Sequence, residues 1–190
     1  MEIAIISEPL FRDNGPVKDD TIIKKFVPYI LIAQKMYIER IIGKPLLEEL
    51  QDQIKQAQET PDADPYPITP DNQALILEIA PALSHYSVYQ GIPFHWAAIV
   101  NKGITVRESE NSKSTDIKDI AQLRRWLKDD AEYLAKKLVS YLCGCKSKYP
   151  TWKPDTGYDC GCGCDGNTGS KSVPLDAGIY IPNRRHRNCL

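Results

Sequence analysis

The sequence predicts a mainly α fold: a helical bundle with a long helix in its C-terminal half, a short β-ribbon insertion and an extended C-terminal tail. Three observations carry that expectation. Apolar residues recur at helical spacing in separate stretches, most regularly between Ile117 and Leu142. A β-branched and aromatic stretch flanks Asn101-Lys102-Gly103, and everything after Cys143 is rich in Gly, Pro, Asn and Cys. The expected division is a helical core over residues 1–142, with the ribbon near 94–108, and a tail over 143–190.

Taken in order, Pro28 suits the first turn of a helix over roughly 28–41, approached by the short turn TIIKKFV. Its apolar side is Ile30, Leu31, Tyr37, Ile38, Ile41 and Ile42, with Gln34, Lys35 and Glu39 opposite. Gly43 stops it, and Pro45 opens a second helix, PLLEELQDQIKQA, with Leu46, Leu47, Leu50 and Ile54 on one face. The four prolines of ETPDADPYPITPDN mark a loop. Asp71 is expected to cap a third helix running to Gln90, with Pro81 kinking or breaking it. Beyond Gly91, FHWAAIV and GITVRE read as two strands joined at a glycine turn. Such a ribbon is marginal alone and needs helices or another subunit beside it.

Asp116 is placed to cap the strongest helix, in which Ile120, Leu123, Leu127, Leu134, Leu138 and Leu142 repeat at intervals of three, four or seven. At a rise of about 1.5 Å per residue it is roughly 40 Å long, more than one small bundle covers. The remainder has too few core-forming residues to fold alone.

The net charge of −1 argues against a freely diffusing nucleic-acid binder. Only the end is basic, with Lys171, Arg184, Arg185 and Arg187 against Asp176. MEIAIISEPLF carries Glu2 where a signal peptide has a basic region, and no apolar run is long enough to span a bilayer. A reducing cytoplasm, with the six cysteines as thiols unless metal-bound, is therefore expected.

All six cysteines fall late in the chain. Cys143, Cys145, Cys160, Cys162 and Cys164 are dense enough to raise a structural zinc site, with Cys189 or His186 as a further ligand. Every close pair is C-x-C rather than the C-x-x-C of a zinc knuckle, so separate or packed thiols are the expected outcome and no cofactor is assigned. His85 and His95 read as a helix-boundary residue and a packing residue. The adjacent pairs Glu48-Glu49, Asp19-Asp20 and Asp129-Asp130 point apart on a helix and read as solvated charge. No catalytic signature is present, and no enzyme is expected. Trp152, Tyr158 and Tyr180 read as anchors for partner pockets, and Arg184, Arg185 and Arg187 as contacts to an acidic surface or phosphate.

The stretches FVPYILIAQKMY, IGKPL and VNKGI, within residues 5–150, resemble a family of head–tail connector proteins from Bacteroidetes and crAss-like tailed phages. The resemblance implies a ring, commonly twelve-fold, beneath the portal, extending the DNA channel and docking the next tail component. It implies helices over 28–57, 71–90 and 117–142 in the ring wall, with ribbon and tail reaching neighbouring subunits, the portal or the next ring. The expected location is the head–tail interface of the virion, and the host cytoplasm during assembly, with double-stranded DNA passing nearby and no membrane. The alternative from the residues is a metal-stabilised DNA-binding module built on the Cys-rich tail.

Overall fold

The computed structural model of the chain describes residues 3–18, 20–63, 66–100, 103–106 and 116–154. All of them belong to one unit, Met1–Cys160. At its centre lies α5 (Pro70–Trp96), which buries Leu75, Ile79, Ala80, Ala82, Leu83, Tyr86 and Val88. A helix apolar on nearly all sides is one that others surround. Thr69, rather than Asp71, is its N-cap, with the hydroxyl accepting from the Asn72 amide at 3.3 Å. Helix α6 (Ile117–Gly144) runs antiparallel along it: Lys148 just beyond α6 meets Asp71 at one end, and Arg124 lies over the Tyr89 ring at the other. Leu127, Ala131, Ala135, Leu138 and Leu142 form the buried side of α6, the two alanines letting the helices approach closely.

The N-terminal half wraps α5. Helix α1 (Glu8–Asn14) sends Phe11 into the core, a 3₁₀ turn spans Ile23–Lys25, and α2 (Val27–Ala33) carries Pro28 in its first turn. The next turn, Gln34–Ile38, is π-helical, closed by the Glu39 amide on the Gln34 carbonyl. Helices α3 (Glu39–Ile42) and α4 (Lys44–Glu59) follow, separated by Gly43 at φ 81° and ψ 151°. That backbone conformation belongs almost wholly to glycine, so IGKPL is a corner only this residue makes without strain. Gln34, expected on the wet side, is instead buried. Its Oε1 accepts from the Ile5 amide at 3.0 Å and its Nε2 donates to the Ile3 carbonyl at 3.1 Å, fastening the N-terminal segment.

The expected fold class requires correction. Among the described residues no separate β-ribbon insertion over 94–108 rides on the bundle, because Phe94–Trp96 form the last turn of α5. Strand pairing among the described residues is confined to β1 (Ala97–Val100) and β2 (Gly103–Val106), antiparallel from Ala97↔Val106 to Val100↔Gly103, continuing directly from that helix. The cause is tertiary. Phe26 stacks on His95 with centroids 4.3 Å apart, and Tyr29 on Phe94 at 5.7 Å, holding a β-prone sequence helical. Gly91 does not stop α5 either; a Cβ there would lie 3.0 Å from the Phe26 ring, so the glycine admits these rings. Nor do Pro81 and Pro93 end the helix.

Of the expected extended tail, 143–190, only residues 143–154 are described, and they pack on the body as a strap. A 3₁₀ turn, Lys146–Lys148, leads to Tyr149 and Trp152, both buried. The Tyr149 hydroxyl donates to the Asp71 carbonyl at 2.8 Å, and the Thr151 hydroxyl to Glu49 Oε2 at 2.8 Å. Glu49 Oε1 in turn accepts from Asn72 Nδ2 at 2.9 Å. One carboxylate thereby joins α4, α5 and the strap.

Candidate interaction surface

The exposed side of α6 is where the sequence departs most from what a closed helical body requires. Leu123, Trp126 and Tyr133 follow one another at intervals of three and seven, which places them on one stripe. They are 40%, 60% and 59% exposed. The first part of the helix, Ile117–Trp126, contributes no fully buried side chain, so about 15 Å of helix has little cover from the described residues. From Asp116 to Asp130 its charges balance, with Lys118, Arg124, Arg125 and Lys128 against Asp116, Asp119, Asp129 and Asp130. Lys137 lies 4.9 Å over the Tyr133 ring, one turn further along.

Behind the stripe, three helices meet in a polar aromatic seam. The rings of Tyr37 and Tyr86 stack in parallel, 4.0 Å apart, and Gln90 Nε2 donates to the Tyr37 hydroxyl oxygen at 2.7 Å. Burial, followed by the neighbouring Tyr89, pushes the Tyr37 hydroxyl above the usual tyrosine range. Arg124 lies 4.4 Å over the Tyr89 ring, so its charge anchors α6 to α5. The seam fixes the direction in which the overhanging part of α6 projects.

At the other end of the body an apolar depression of about 220 Å³ opens between the N-terminal segment, α4 and the start of α5. Ala4, Ile5, Ile6, Leu10, Ile54, Ile68 and Ile76 supply its walls, with Ser7 and Gln58 beside them. The neighbouring α4 and its exit carry Glu48, Glu49, Asp52, Glu59 and Asp62 against Lys44 and Lys55. The depression itself is apolar. Neither this depression nor the α6 stripe was singled out from sequence, since each depends on which apolar residues remain uncovered after packing.

The residues singled out from sequence are placed differently. Trp152, expected as an anchor for a partner, is buried in its own chain, with its indole N–H donating to the Ile41 carbonyl at 3.0 Å. Tyr158, Tyr180, Arg184, Arg185 and Arg187 lie outside the described residues. Cys143 is disulfide-bonded and Cys145 is a free thiol. This corrects the expectation of thiols throughout, and a bonded sulfur is not the thiolate that a metal requires. Cys160, Cys162, Cys164, Cys189 and His186 lie outside the described residues.

Among the described residues, no three His, Cys, Asp or Glu side chains gather closely enough to share a metal ion. His85 Nδ1 lies 2.9 Å from the Pro81 carbonyl within its own helix, and His95 stacks on Phe26. No helix of the described residues is long and apolar enough to cross a membrane.

No curated protein matches the chain, and no solved structure does. Residues 38–162, from the end of the π-helical turn through α4, α5, α6 and the strap, match a protein family described only as a family of unknown function. The match spans most of the 190 residues, and the chain belongs to this family, DUF6712.

Proposed function

We propose that this chain is a structural subunit of a tailed-phage virion, forming a ring between portal and tail that extends the DNA channel and offers the next tail component a docking surface. The observation that carries this reading is the exposed stripe Leu123–Trp126–Tyr133 on a helix whose beginning buries nothing fully on its own chain. Adjacent apolar side chains on a rigid, overhanging helix are costly to leave in water, and association covers them. The likeness of FVPYILIAQKMY, IGKPL and VNKGI to connector proteins supplies the setting: a cyclic homo-oligomer, twelve-fold by that likeness, at the head–tail interface. A net charge of −1 suits a channel that passes double-stranded DNA rather than gripping it.

Electron microscopy and native mass measurement of the full chain test the reading, together with capture by the portal protein of the same phage. Closed rings that bind portal support it. A single-copy particle at micromolar concentration overturns it. Bound zinc together with salt-dependent DNA affinity would instead favour a metal-stabilised DNA-binding module.

A further inference from the structure

We draw no further inference here: the strongest candidate, the apolar depression of about 220 Å³ between the N-terminal segment, α4 and the start of α5, carries nothing because nothing in the structure shows what covers it.

Discussion

The indole N–H of Trp152 donates to the carbonyl oxygen of Ile41 across 3.0 Å, joining the last described stretch of chain to the corner between α3 and α4. The carbonyl is one that α3 leaves unpaired, because the helix ends at Ile42 before its next turn. Trp152 thus fills a place in the core and satisfies a backbone acceptor together. Trp152→Phe is expected to cost about 1 kcal/mol through the lost hydrogen bond, and Trp152→Ala about 3–5 kcal/mol through the cavity. Urea unfolding midpoints measure both. Equal midpoints for wild type and Trp152→Ala would mean that the strap contributes no stability.

Gly43 faces the same strap. A Cβ built there would fall on the Lys153 carbonyl, and the residue holds φ 81° with an extended ψ. Gly43→Ala is expected to cost about 1–3 kcal/mol in backbone strain, with a further loss because Lys153 must move. The further loss depends on the strap, so Gly43→Ala and Trp152→Ala together should destabilise by less than the sum of the two single changes. A double-mutant cycle in urea reads the difference, and strict additivity would show that the strap does not bear on Gly43.

Much of this architecture is legible in the sequence where local chemistry governs it. The period of Leu127, Leu134, Leu138 and Leu142 sets the inner side of α6, Pro28 opens α2, and Gly43 marks the corner before α4. What fails is what depends on distant partners. Phe94, His95 and Trp96 read as β-prone, and only the rings of Phe26 and Tyr29, far back in the chain, make the helical choice intelligible. Gln34 reads as polar surface until the N-terminal backbone arrives to use both ends of its amide. Trp152, among prolines and lysines, reads as an exposed anchor because the pocket that receives it is assembled from α3 and α4. The α6 stripe is hidden for the opposite reason: the sequence shows which residues are apolar, but not which of them remain uncovered.

Tyr149 is expected to make stability sensitive to alkaline pH. Burial raises its hydroxyl well above the ordinary tyrosine range, helped by the hydrogen bond with Tyr141, whose oxygen lies 3.1 Å away. The unfolded chain releases this proton near pH 10, while the folded chain keeps it to higher pH. The folded state then binds more protons than the unfolded state, so stability falls as pH rises above about 10. Tyr149→Phe should lose roughly 1–2 kcal/mol at neutral pH and show a shallower alkaline decline. Parallel urea titrations between neutral and alkaline pH check the sign. An unchanged slope would remove Tyr149 from the account and leave Tyr37, raised in the same direction, as the group to examine.

Gln34 gives a prediction of opposite pH sign. Its buried amide supplies an acceptor to Ile5 and a donor to Ile3, and Gln51 Nε2 adds a second donor to the Ile3 carbonyl at 3.2 Å. Gln34→Leu removes both of its bonds and leaves the Ile5 amide without a partner, at a cost of about 1–3 kcal/mol. The Ile5 amide should then exchange with solvent far faster, while amides in the middle of α5 change little, because the N-terminal segment can open separately. Gln34→Glu keeps the acceptor but buries a charge, which raises its pKa in the folded state above the unfolded value. The penalty is therefore greatest at neutral pH and shrinks as pH falls through the folded pKa, where the protonated carboxyl can again donate to the Ile3 carbonyl. Acid should bring Gln34→Glu closer to wild type and leave the deficit of Gln34→Leu in place. Hydrogen exchange and urea unfolding at two pH values read both outcomes. If Gln34→Glu stays equally destabilised at both, the amide is not held in the dry, bidentate grip that fixes Ile5 and Ile6 in the wall of the depression.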